Sequence, residues 1–95
     1  MPQGLLVLNA GSSSIKFSVF ALPADGGELN LVCRGLQENI GDDNPRFTAF
    51  DQAGKVVIDT QPTPPAGEVY HHQAALRDLL VWLRDSPDLP DVIAV

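Results

Sequence analysis

Residues 5–21 constrain the fold more than any other stretch. Leu5-Leu6-Val7-Leu8 is a continuous apolar run, the pattern of a strand buried on both faces. Asn9-Ala10-Gly11-Ser12-Ser13-Ser14 follows, small and polar, and predicts a tight turn. From Ile15 the residues alternate: Ile15, Phe17, Val19 and Ala21 share one face, Lys16 and Ser18 the other. Two strands joined by so short a turn pair antiparallel, so the molecule is built outward from a β-hairpin.

The rest of the chain extends that sheet. Pro23-Ala24-Asp25-Gly26-Gly27 breaks the second strand, and Leu29–Leu36 predicts a third, with Leu29, Leu31 and Cys33 on one side and Val32 and Arg34 on the other. Gln37–Pro45 reads as a loop. Phe47–Phe50 and Val56–Ile58 form a further hairpin around Asp51-Gln52-Ala53-Gly54. Thr60–Gly67 holds three prolines and is an extended connection. Tyr70–Asp85 is the one convincing helix: His72, Ala75, Leu76, Leu79, Leu80 and Leu83 recur at helical spacing, and Ser86-Pro87 ends it. Val92–Val95 is a last strand. A strand reached through a helix lies parallel to an earlier one, whereas strands joined by short turns are antiparallel. The expected architecture is therefore α/β, an α+β mixed sheet with at least one face covered by the helix.

With 95 residues, 44% hydrophobic and 19% charged, the chain has the composition of one folded domain and is too short for two lobes around a cleft. Its apolar runs fall far below the ~20 residues of a membrane helix, and Met1-Pro2-Gln3-Gly4 lacks the basic start of a signal peptide. The ending inside the apolar run Val92–Val95 suggests a piece of a longer chain. A net charge of −6, with the bases Lys16, Arg34, Arg46, Lys55, Arg77 and Arg84 scattered, argues against nucleic acid or an anionic membrane as partner. A single phosphate remains compatible, because backbone amides and one lysine can hold it. The lone Cys33 cannot form an internal disulfide, which suits the cytoplasm, and its apolar setting predicts a packing role.

The residues that carry chemistry lie in the first turn. Gly11 allows a backbone conformation closed to residues with a Cβ, and a close approach to a ligand. Successive amides around such a turn form an anion-binding concavity, to which Ser12, Ser13 and Ser14 add hydroxyls and Lys16 a charge. Asn9 offers a carboxamide oxygen suited to a hard cation or to a water in its shell. The spacing matches neither the P-loop nor the dinucleotide fingerprint. On residue types alone, a plain hairpin turn and a phosphate site both stay open. Elsewhere, His71 and His72 lack the spacing of a zinc helix, Asp42 and Asp43 read as a solvated acidic loop, and Trp82 reads as a packing or lobe-contact residue. Nothing places either histidine for a Ser/His/Asp triad.

Leu5–Phe17, thirteen contiguous residues, resembles the N-terminal signature of the acetokinase family, whose fold belongs with the actin-like, ribonuclease-H-like ATPases. Beyond it the likeness is looser, although Ile40-Gly41, the helix and Asp91–Val95 fall where that family would place them. The intact Ala10 and Ser12-Ser13-Ser14 favour acetate or propionate as substrate over butyrate. The resemblance implies a half-domain with strands one to three antiparallel and the strand after the helix parallel to strand one. It implies magnesium at Asn9, ATP at Lys16, and a phosphate-binding hairpin at Gly11, Ser12, Ser13 and Ser14. It also implies transfer of the ATP γ-phosphoryl group to acetate, giving acetyl phosphate and ADP, by a cytoplasmic homodimer. In the family a Gly-His-Arg segment with the carboxylate-binding arginine follows the last strand. The catalytic acid and the adenosine-binding lobe lie further on, so residues 1–95 are expected to be the N-terminal part of the first lobe, without catalytic residues and inactive alone. A self-contained phosphate-binding module is the rival reading; Gly-His-Arg encoded directly after Val95 would favour the kinase, a stop codon the module.

Overall fold

A computed structural model describes residues 3–24, 26–42, 44–63, 69–86 and 89–94. The first hairpin forms as its pattern dictates: β1 (Gln3–Ala10) pairs antiparallel with β2 (Ile15–Ala21), from Gly4↔Ala21 to Ala10↔Ile15. β3 (Asn30–Glu38) adds to β2, β4 (Arg46–Asp51) to β3, and β5 (Val56–Thr60) to β4, all antiparallel. The helix α1 (His72–Asp85) then leads to β6 (Asp91–Ala94), which runs parallel to β1. The result is a six-stranded mixed sheet ordered β5-β4-β3-β2-β1-β6, the architecture expected. Val95 and residues 64–68 of the proline-rich connection lie outside the described residues, as does Asp43 of the acidic pair.

Four details depart from the sequence reading, the first being that β3 runs on through Gln37 and Glu38, where the sequence predicts the start of a loop. β1 is not buried on both faces: Leu6 is fully buried, but Val7 is 46% exposed, because α1 covers only one side of the sheet. Within β3, Leu29 lies before the strand and is exposed. A register shift opposite Val19 and Phe20 pairs Leu31 with Phe20, so Leu31 does not continue the Cys33 row. The helix starts at His72, with His71 at its N-cap and Tyr70 ahead of it. Its buried stripe is Ala75, Leu79 and Leu83, whereas Leu80 is exposed.

The core lies between α1 and one sheet face. Leu6, Phe17, Val19, Cys33, Phe47 and Ala49 from the sheet meet Leu79 and Leu83 from the helix. Trp82 closes the cluster edge-to-face on Phe47 and Phe17, at centroid distances of 5.3 and 6.1 Å. The Phe17 ring lies over Gly35, where a Cβ would come within 2.2 Å of it. Gln37, buried in β3, donates from Nε2 to the Ala75 carbonyl at 2.5 Å and ties the first turns of the helix to the sheet. Tyr70 packs with Ile15, Ile40 and Ala75 while its hydroxyl donates to the Asp78 carboxylate. Burial, and then that hydrogen bond, hold its phenol well above the usual range. Between β4 and β5, Asp51 Oδ1 accepts from the amides of Ala53 and Lys55, each at 2.9 Å, and Gly54 takes φ +84°. Among the described residues no helix is long and apolar enough to cross a membrane.

Candidate functional site

Pairing places the candidate residues around one hairpin. Asn9 and Lys16 are cross-strand partners, so their side chains leave the same face with Cβ atoms about 5 Å apart. Leu8, Ile15 and Phe17 face the core, which puts Asn9 and Lys16 on the opposite side from α1, and both are exposed. Asn9 and Ala10 belong to the strand rather than to the turn, which narrows the turn to Gly11–Ser14.

The Gly11 amide donates to the Ser14 carbonyl at 2.8 Å and leaves Ser12 and Ser13 at the tip. One of the two expected reasons for the glycine, a backbone conformation closed to residues with a Cβ, is overturned. Among the described residues the left-handed glycines are Gly26, Gly41 and Gly54; Gly11 is not one of them. What Gly11 provides is room, because a Cβ there would stand 3.2 Å from Ser14 Oγ, inside the turn. Two contacts from distant parts of the chain brace the tip. The Ile40 amide donates to the Ser13 carbonyl at 2.9 Å, and His72 Nε2 lies 2.8 Å from the Gly11 carbonyl. The turn that carries Ile40 is in turn held by the Gly41 amide on the Tyr70 carbonyl at 2.7 Å. Among the described residues, the Ser12, Ser13 and Ser14 amides have no acceptor in the protein.

Next to Lys16 the sheet offers a second cation. Ser18 pairs with Arg34 and Lys16 with Leu36, so Arg34 sits diagonally from Lys16 on the same face. Lys16, Ser18, Arg34, Leu36 and Phe50 line a shallow depression of about 440 Å³ there. The serine tip, Asn9 and the two cations thus lie at one end and along one face of the sheet. An anion bound at the tip would meet backbone amides first and Lys16 next. Sequence reasoning weighed His72 as a helix-stripe residue, a metal ligand and a triad member, and treated Arg34 as a strand residue and a scattered base, without linking either to the hairpin tip. The β2/β3 register was the signal that could have placed Arg34. Nothing local announces the contact of His72, 61 residues away from Gly11.

A hairpin with an amide-lined tip, three antiparallel strands, and a strand that returns through a helix to lie parallel to the first together define the half-domain of an actin-like ATPase. The chain belongs to the acetokinase family, whose model matches residues 4–95. It is 35% identical over 98 residues to an acetate kinase of Methylocella silvestris, covering 99% of this chain and 24% of that protein. An acetate kinase of Dichelobacter nodosus is 36% identical over 92 residues, covering 97% and 20% respectively. A propionate kinase of Citrobacter koseri is 37% identical over 81 residues, covering 85% and 18%. The chain therefore spans about a fifth to a quarter of the length of these curated relatives.

The donor set bears on the metal that the family implies. Among the described residues no three His, Cys, Asp or Glu side chains gather into a cage. A lone exposed carboxamide at Asn9, beside hydroxyls and amides, fits a magnesium ion carried in by phosphate oxygens and keeping most of its waters.

Proposed function

We propose that residues 1–95 form the phosphate-loop part of the first lobe of a cytoplasmic acetate kinase, which transfers the ATP γ-phosphoryl group to acetate reversibly. The observation that carries this reading is the placement of Lys16 and Asn9 as cross-strand partners at the root of a braced, amide-lined hairpin. In the reaction a carboxylate oxygen forms a bond to the γ-phosphorus while the bond from that phosphorus to the β,γ-bridging oxygen breaks, giving acetyl phosphate and ADP. The work left to the protein is positioning and charge stabilisation. The Ser12, Ser13 and Ser14 amides and hydroxyls would hold phosphoryl oxygens, and the Lys16 ammonium would offset charge on the moving group. Asn9 would hold a magnesium ion through its carboxamide oxygen or a bridging water; that ion supplies charge neutralisation between the phosphates. We assign no catalytic acid or carboxylate-binding residue to this segment.

Hydroxamate trapping of acetyl phosphate tests the assignment: the full-length protein should turn over acetate and ATP, and residues 1–95 alone should not. Turnover by the 95-residue chain would refute the need for a second lobe. In the full-length enzyme, Lys16→Ala should lose about 1.5–4 kcal/mol of transition-state stabilisation, read as kcat/KM for ATP. An unchanged value would make Lys16 a solvated strand residue. The likeness to the Citrobacter koseri propionate kinase supports a second reading, propionate as substrate, and the ratio of kcat/KM for the two acids decides between them.

A further inference from the structure

We propose that His72 is a positioning residue that aims the hairpin amides at a phosphoryl group; the assignment rests on the reading of Gly11–Ser14 as a phosphate loop. A peptide unit is planar, and in the trans form its carbonyl and its amide point in opposite directions. The described peptide bonds include no cis forms. The Gly11 carbonyl and the Ser12 amide belong to one such unit. His72 Nε2, 2.8 Å from that carbonyl, draws it toward the start of α1 and thereby turns the Ser12 amide the other way. The side away from α1 is the one on which Asn9 and Lys16 stand. The Ile40 amide does the same for the next unit but one: it holds the Ser13 carbonyl at 2.9 Å and so directs the Ser14 amide. Two carbonyls anchored inward leave two amides directed outward, with no protein acceptor among the described residues.

The Ile40 contact is made by backbone and survives any side chain. The His72 contact depends on one donor. It needs a proton on Nε2, which both the neutral Nε2–H tautomer and the imidazolium supply, whereas the Nδ1–H tautomer would set a lone pair against the carbonyl. The imidazole is carried on the first residue of a helix whose early turns are tied to β3 by Gln37 on the Ala75 carbonyl. The donor is therefore held by the rigid body of the domain and not by the loop it orients. A glutamine at position 72 can present a side-chain N–H at a similar reach; a leucine fills the volume without a donor.

The test uses the full-length protein and its His72→Leu and His72→Gln variants. Isothermal titration with magnesium and a non-hydrolysable ATP analogue gives affinity, and steady-state kinetics gives KM for ATP and for acetate. His72→Leu should bind the analogue about tenfold or more weakly and raise KM for ATP to match, with KM for acetate within about twofold of wild type. His72→Gln should return both nucleotide values to within about threefold of wild type. A merely structural role would lower the active fraction without moving KM. Wild-type affinity in His72→Leu overturns the proposal, and so does a His72→Gln variant as weak as His72→Leu. If His72→Leu does not fold, His72→Gln decides: near-wild-type nucleotide affinity upholds the donor role, and a tenfold loss removes it. A wild-type protein that binds the analogue but makes no acyl phosphate sinks the kinase reading alone, because the binding comparison between variants still stands.

Discussion

Gly35 shows how one missing side chain sets a core. The Phe17 ring occupies the space where a Cβ would be, 2.2 Å from the ring and 2.5 Å from the Thr48 carbonyl, and the backbone oxygen cannot step aside. Gly35→Ala should therefore destabilise the protein by about 1–3 kcal/mol through overpacking, seen as a lower urea midpoint. Cys33 yields a pH-dependent expectation. Burial raises its thiol from 9.0 to about 11, so the folded state holds the proton more tightly than the unfolded chain. Its contribution is fully present below pH 9.0 and is lost as the pH climbs toward about 11. Urea midpoints measured across that window should fall, and Cys33→Ala should flatten part of the slope. The burial of Cys33 was legible from its apolar neighbours. The role of Gly35 was not, because it depends on which β2 residue lies opposite.

At the scale of elements, periodicity located the helix but misjudged its inner face by one position. Leu79 and Leu80 look equivalent in the sequence, both on a leucine stripe. In the fold the stripe follows Ala75, Leu79 and Leu83, and Trp82 closes it, because the indole completes a three-ring cluster with Phe17 and Phe47. Leu79→Ala should cost about 2–5 kcal/mol, whereas Leu80→Ala should stay within about 0.5 kcal/mol. Chemical denaturation of the two variants side by side checks this, and equal losses would contradict the assigned face. The strands were legible to within one or two residues where apolar and polar side chains alternate, as in β2. They were least legible in β3, where the register shift opposite Val19 and Phe20 breaks the alternation without any glycine or proline to announce it. The candidate site divides in the same way. The Asn9–Lys16 pairing follows from the hairpin alone, whereas the braces from Ile40 and His72 need the third dimension.

Across the whole molecule, the sheet is unequal in its two faces and its two edges. One face is covered by α1; the other carries Lys16, Arg34 and Phe50 around a shallow depression. β5 borders no further strand on its outer side among the described residues, and its Val56 and Val57 are 53% and 50% exposed. An exposed apolar edge invites pairing with another chain, and a charge on it suppresses that pairing. Val57→Lys should lower the self-association of residues 1–95 at high concentration, measured by sedimentation velocity. An unchanged distribution would place any association elsewhere. The order of strands, including the parallel return after the helix, was readable because connection length dictates direction.

The bracing of the hairpin tip also bears on time. β1 and β2 are neighbours in the chain and can zip together within microseconds of collapse, needing nothing beyond their own residues. The tip is different: its carbonyls are held by Ile40 and His72, distant in sequence, contacts whose closure is entropically slow. A newly made chain would thus possess the serine turn early and the proposed anion cradle late, once the helix has docked. If the tip binds nucleotide as proposed, that affinity would mark the completion of folding, rising only once the Ile40 and His72 contacts are made.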